Sequence, residues 1–378
     1  MRGGSKSEVS TSTRVGLWIA LLLLICALTP VANAANPLKS GYDVTILPDF
    51  NAPADLPVPP QGSAAFGMNN SGDVVGWSYY SRTDPSISAF LYRNGQLTRL
   101  GQLNGRQNSW ANAINDNGIV VGGSSGPSFS QEFPFVWQVA VMSDLLGGIP
   151  ACQVPFSFNC WATAADINAG GDIVGIRMLN PDGASGCCTA SAYLYSNGTF
   201  TDLSDSKSAA TAINDRGEIV GSREGSPGGG FLYRHGQMND LAALGCSGCA
   251  PNDISRNGKV VGTASLSNGD SHAFLWAKGV MRDLGTLGGS FTRSEATAVN
   301  RKGTTVVGNA RTSAGDTHGW VYAHGEMVDL NALIGPSIGT VVDVQDVNDR
   351  GQIVGQIAVT NPALRRGTFA VLLTPRHH

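Results

Sequence analysis

Charge is scarce in this sequence. Asp, Glu, Lys and Arg make up 14% of it, and the formal net charge is −3. There is no basic run and no basic stripe, so a nucleic-acid partner is not expected. Histidine is rare too, with six residues. Cys246-x-x-Cys249 could be half of a zinc site, but no second C-x-x-C and no H-x-x-H completes it. No metal and no cofactor are therefore expected. Long apolar runs are also missing, with one exception near the N-terminus.

That exception is Val15–Leu28. Arg2, Lys6 and Arg14 precede it, and Pro30 and Ala32-Asn33-Ala34 follow it. A basic region, a short apolar core and an A-x-A site read as a secretory signal peptide over residues 1–34. The alternative is an uncleaved signal anchor, which the short apolar core and Pro30 disfavour. Removing the leader takes away three basic residues and the single Glu8, so the mature chain from 35 is more acidic still. An extracellular or periplasmic protein with no membrane insertion after cleavage is expected. In such a compartment Cys152, Cys160, Cys187, Cys188, Cys246 and Cys249 are disulfide candidates. The close pairs Cys152/Cys160 and Cys246/Cys249 are favoured, and the connectivity stays open.

What is abundant is glycine, 49 residues in all, and much of it recurs in one phrase. An apolar residue, Asn, two residues, Gly and a short apolar strand ending in Gly appear seven times. The copies are Met68–Gly76, Ile114–Gly122, Ile167–Gly175, Ile213–Gly221, Ile254–Gly262, Val299–Gly308 and Val347–Gly355. Their intervals of 41 to 53 residues mark an array of supersecondary units. Asn69, Asn115, Asn168, Asn214, Asn300 and Asn348 stand where an Asx side chain bonds the backbone two residues on. These Asn are structural turn residues, and Ser255 takes the place in the fifth copy.

A second phrase follows each hairpin: Ala89–Leu100, Ala192–Leu203, Gly230–Leu241, Ala273–Leu284 and Gly319–Leu330, with a degraded copy at Pro134–Leu145. It reads strand, tight turn, strand, with Asn94-Gly95 and Asn197-Gly198 as hairpin signals. Each unit thus supplies four strands, A to D. Strand A is rich in small residues, which suits the crowded position nearest a central axis. Strand B is nearly all Val and Ile, which suits burial on both faces.

The seventh unit has strands A, B and C but no D, while Tyr42–Leu47 near the other end resembles a D strand. A ring whose last blade is completed by residues 42–50 removes the exposed edge. The predicted fold is all-β: one seven-bladed β-propeller over residues 35–378. Its blades cover about 63–103, 110–148, 161–205, 208–244, 250–288, 293–335 and 341–375. A β-solenoid or open array is the alternative.

Ser271–Gly289 and Thr297–Gly308 resemble the bacterial HAF-repeat extracellular proteins, named for a His-Ala-Phe on strand C. His272-Ala273-Phe274 matches fully and His318-Gly319-Trp320 in part, while the other copies lack the His. The resemblance implies an exported repeat protein and supplies no catalytic residues.

No catalytic constellation emerges. Gly122–Gly126 matches G-x-S-x-G, but no helix follows to make a nucleophile elbow. Asp144, Asp202, Asp240, Asp283 and Asp329 recur before Leu in strand D and are expected to bond their own blade's turn. His272 and His318 are read as structural. The long connections D–A (149–160) and B–C (177–191) share one face with every mature cysteine. The aromatics Tyr79, Tyr80, Trp110, Phe156, Phe158 and Trp161 are expected there, a surface suited to a glycan or peptide. For Trp110 and Trp161, which start A strands, capping the core is the alternative. The expected function is a secreted, non-catalytic binding or scaffold propeller whose partner is an unknown extracellular glycan or protein. A glycan lyase or hydrolase on the same fold and a cell-envelope structural protein are the alternatives.

Overall fold

The structure is a computed structural model that describes residues 37–50, 62–79, 86–127, 132–147, 160–179, 190–204, 207–224, 229–243, 245–246, 248–288, 293–335, 338–359 and 367–376. The expected leader, residues 1–34, lies outside the described residues. Among them no helix is long and apolar enough to cross a membrane.

The strands form seven four-stranded antiparallel sheets. Six are built from consecutive strands A to D, as in blade 1: Ser63–Met68, Val74–Tyr79, Ile87–Arg93 and Gln96–Gly101. The seventh holds Thr340–Val347, Ile353–Val359 and Gly367–Pro375, with Tyr42–Ile46 as its outermost strand. Tyr42 pairs with Pro375 and Ile46 with Val371.

Strand B opens with two adjacent branched apolar residues because both of its faces meet other blades. Val74, Val75, Val120, Val121, Val260 and Val261 are all fully buried. Each blade's B and C strands pack against the A strand of the next. Val75, Ala89 and Leu91 of blade 1 share a core with Ala111 and Ile114 of blade 2. Each interface buries a wedge of Val, Ala and Phe, and the hydrophobic effect holds the ring blade by blade.

The B-strand glycine that closes each repeat has a steric cause. A Cβ at Gly221 would overlap the carbonyl oxygen of Ala209, and the same holds at Gly122 against Trp110 and at Gly262 against Ala250. Strand A leans onto strand B at this point because its register shifts by one residue just beyond, between Ala210 and Ala212 in blade 4 and between Ala111 and Ala113 in blade 2. Every A strand carries such a bulge.

The turn asparagines behave as an Asx turn requires. Asn115 Oδ1 accepts from the N–H groups of Asn117 and Ile119 at 3.1 and 3.0 Å. Its Nδ2 reaches out of the blade and donates to the carbonyl of Asn168 at 3.0 Å. Asn69 does the same to Asn115, and Asn214 to Ser255. Across the seam, Asn348 Nδ2 donates to the carbonyl of Asn69 at 3.2 Å, and Ala370 N–H to Ser63 Oγ at 3.0 Å. The first and seventh blades are joined as the others are.

Candidate functional site

The bulge decides what lines the axis. It leaves one residue of each A strand unpaired and turns its side chain inward. In chain order these are Phe66, Asn112, Ala165, Thr211, Asn252, Thr297 and Gln345. With the residues beside them they enclose an axial cavity of about 240 Å³. Such a volume sits below the ~300–1,000 Å³ of ordinary small-molecule sites.

Five aspartates line this cavity, and three of them, Asp166, Asp253 and Asp346, lie on the A strands of blades 3, 5 and 7. The other blades carry Gly67, Ala113, Ala212 and Ala298 at this place. Each of these three bridges two blades. Asp166 accepts from its own neighbour Ile167 N–H at 2.7 Å and from Ile213 N–H of blade 4 at 2.8 Å. Asp253 accepts from Ile254 and Val299, and Asp346 from Val347 and Met68, at 2.6 to 2.8 Å. Burial pushes all three up, Asp166 to about 8, Asp346 to about 7 and Asp253 to about 6. The backbone N–H groups oppose that shift, and the neighbouring aspartates add to the rise at Asp166 and Asp346. These residues escaped the sequence reading, which weighed only the strand D aspartates. Their signal was present as Asp before Ile or Val and the turn residue, in Asp166-Ile167-Asn168, Asp253-Ile254-Ser255 and Asp346-Val347-Asn348.

One end of the cavity is latched. Arg301, on blade 6, forms ion pairs with Asp116 of blade 2 and Asp215 of blade 4. The contacts span 185 and 86 residues of chain and cross the mouth formed by the A–B turns. Burial works against the guanidinium charge, and Asp215, Asp116 and Asp349 overcome it.

The strand D aspartates do not form a ring. Asp144, Asp283 and Asp329 accept from the backbone N–H two residues on, at 2.7 to 2.8 Å. Asp202 pairs with Arg177 and Asp240 with Arg223. His272 Nδ1 lies 2.8 Å from Asp283 Oδ2, and His318 Nδ1 lies 2.7 Å from Asp329 Oδ2. The two histidines are thus tied within their own blades. Gly122–Gly126 runs along strand B of blade 2 and just past its end, and Ser124 is fully buried, donating to the carbonyl of Asn108 at 2.8 Å. It is no nucleophile elbow.

On the opposite face, that of the D–A and B–C connections, Tyr79 ends strand B of blade 1 and meets Trp77 edge-on at 5.4 Å between ring centroids. Trp110 and Trp161 lie on the A strands of blades 2 and 3, both half-buried. Their registers differ: Trp110 stands opposite Gly123, Trp161 opposite Met178. A Cβ at Gly123 would overlap both Glu132 Oε1 and the Trp110 ring, so this glycine makes room for an indole and a carboxyl side by side. Burial pushes Glu132 up to about 7. Tyr80, Phe156 and Phe158 lie outside the described residues. Cys246 and Cys249 form a disulfide with 5.7 Å between Cα atoms. Cys152, Cys187 and Cys188 lie outside the described residues, as does the side chain of Cys160. Among the described residues no group of three His, Cys, Asp or Glu is placed to hold a metal ion.

The chain has the fold of a seven-bladed propeller. Solved structures of that shape agree. An oligogalacturonate lyase bound to manganese superposes with a TM-score of 0.54 and 12% identity, over 90% of this chain and 94% of its own. A puromycin-hydrolyzing peptidase of Mycobacterium tuberculosis gives 0.53 and 12%, over 83% of this chain and 53% of its own. A prolyl endopeptidase gives 0.50 and 11%, over 84% and 51%. At such identities the likeness establishes the fold alone. No protein-family profile matches the chain, and no curated protein sequence matches it.

Proposed function

We propose that this chain is an exported, non-catalytic binding propeller of the HAF-repeat kind. It takes an extracellular glycan or protein on the face of its D–A and B–C connections. The observation that carries this reading is where the acidic side chains go. Asp166, Asp253 and Asp346 hold the backbone N–H groups of neighbouring blades. Asp116 and Asp215 hold Arg301 across the axis. Asp283 and Asp329 hold His272 and His318. Groups committed to such contacts make rigid scaffold rather than general acids and bases, which must be free to exchange protons with a substrate.

The other face supplies what recognition uses. Half-buried Trp110 offers part of an indole next to the Glu132 carboxyl, and Trp77 and Tyr79 form an aromatic pair one blade away. Indole and carboxyl together suit a sugar ring, stacking one of its faces and bonding its hydroxyls. The leader-like residues 1–34 and the disulfide Cys246–Cys249 support an extracellular or periplasmic location. The test is a glycan and peptide array probed with wild type and with Trp110→Ala and Trp161→Ala. We expect one glycan or peptide class to bind wild type and to lose at least about tenfold in affinity with Trp110→Ala. Binding unchanged by both substitutions would exclude this face.

A further inference from the structure

The A–B mouth carries a feature that neither the fold nor the reading above requires. The two residues after each turn Asn form a rim around the axis. In blades 1 to 3 they are Asn70-Ser71, Asp116-Asn117 and Ala169-Gly170, without a single cation. In blades 4 to 7 they are Asp215-Arg216, Arg256-Asn257, Arg301-Lys302 and Asp349-Arg350. In blades 1, 2, 4 and 7 the turn uses the backbone of the second of these residues: Ser71, Asn117, Arg216 and Arg350 all donate the same N–H to the turn Asn. Ser and Asn serve that role as well as arginine does, so the hairpin does not call for arginine or lysine.

The cations converge on a recess of about 370 Å³ lined by Arg216, Arg256, Asn257, Arg301, Lys302 and Asp349. It adjoins the axial cavity, with which it shares Arg256 and Arg301. The acids nearby do not balance it. Asp116 and Asp215 are both bound by Arg301, and Asp349 Oδ1 accepts from the Lys302 backbone N–H. Glu218, in the A–B turn of blade 4, accepts from Asn214 Nδ2. Arg256 stands 4.0 Å from Asp215, and Lys302 Nζ donates only to a carbonyl, that of Asp349, at 3.4 Å. Arg216 has no side-chain partner among the described residues. In a chain of net negative charge, four cations of three successive blades, Arg216, Arg256, Arg301 and Lys302, thus line one concavity whose lining holds a single carboxylate, Asp349.

We infer that this recess binds a multivalent oxyanion, with Arg216 and Arg256 as forked donors to carboxylate or phosphate oxygens and Lys302 as a point charge. Guanidinium groups suit this role because their paired N–H groups match two oxygens at once. The site lies on the face opposite the aromatic residues, so its ligand and theirs are separable. The anion is a free polyanion or the acidic unit of a saccharide chain.

Calorimetric titration of the full chain at low salt tests this with citrate, inorganic pyrophosphate and an alginate trimer. Wild type is expected to bind at least one of them, and added salt should weaken the binding, as screening demands. Tighter binding of citrate or pyrophosphate than of the trimer identifies a free anion, and the reverse order a saccharide. The double variant Arg216→Ala/Arg256→Ala should bind at least about tenfold more weakly. Lys278→Ala, in the C–D turn of blade 5 outside the recess, should not, and neither should Trp110→Ala. Both arginines are exposed, so the double variant should melt as wild type does. No binding by any of the three probes, or equal binding by wild type and the double variant, overturns the proposal.

Discussion

The turn asparagine carries three jobs at once, and the fifth repeat shows what happens when it is replaced. In blades 1, 3, 4, 6 and 7 the Asn Nδ2 donates to an acceptor four residues on: Asp73, Asp172, Glu218, Thr304 and Gln352. Ser255 has no such donor, and there the fourth residue is Lys259, whose Nζ donates to the carbonyl of Gly303 in the next blade at 2.6 Å. Lys259 thus crosses to blade 6 in place of the missing amide. Ser255→Asn alone should destabilise, because it sets an NH₂ group against an ammonium. Ser255→Asn/Lys259→Glu should recover stability, with a coupling of roughly 0.5–3 kcal/mol in a double-mutant cycle of chemical denaturation. Additive effects would show that the two positions are independent. The Asn turns were legible in the sequence because an Asx turn is local. Their second bond, to the neighbouring blade, was not, since no sequence spacing announces which carbonyl lies across an interface.

Strand A is where the elements meet, and its bulge sets both the chemistry of the axis and its response to pH. A carboxyl whose folded pKa lies above its unfolded value binds more protons folded than unfolded. Asp166, Asp346 and Asp253 rise from 3.8 to about 8, 7 and 6. Their support of the fold is therefore complete below about pH 4 and withdraws as pH climbs toward 8. Urea denaturation across that range should show stability falling with pH. Asp166→Ala should cost roughly 1–3 kcal/mol at the low end, through the N–H groups of Ile167 and Ile213 left unpaired, and should flatten the slope. A slope unchanged by the substitution would place the titration elsewhere. The strand pattern itself was readable: Val and Ile in B, small residues in A, a tight turn before D. The bulge was not, because one extra residue in an A strand leaves no mark until the strand opposite supplies a register.

At the scale of the whole molecule the ring closes through Tyr42–Ile46, the outer strand of blade 7. Tyr42 and Leu47 are fully buried there. A chain that starts at residue 51 leaves the strand Gly367–Pro375 as a bare edge and loses both side chains. It should be destabilised by roughly 3–6 kcal/mol in urea denaturation and should aggregate on warming, as open strand edges do. A truncated chain that unfolds like wild type would mean the seam contributes nothing. The seam is also bridged by Asp346 to Met68 and Asn348 to Asn69, over 278 and 279 residues of chain. Arg301 joins three further blades across the axis. Such long-range contacts bind a molecule whose strand pairings are otherwise local.

The repeat, the four strands of each unit and the kind of residue each strand takes were determined by the sequence alone, because they rest on periodicity and on turns that close within a few residues. What stands at the axis was decided only by the tertiary structure. Three aspartates from alternate blades, an arginine latched to two distant carboxylates and a rim of cations on one arc lie scattered through the chain. They become neighbours only when seven blades are set around a common centre. The opening scarcity of charge reads differently for that reason: the charges are few, and the fold brings many of them to one mouth.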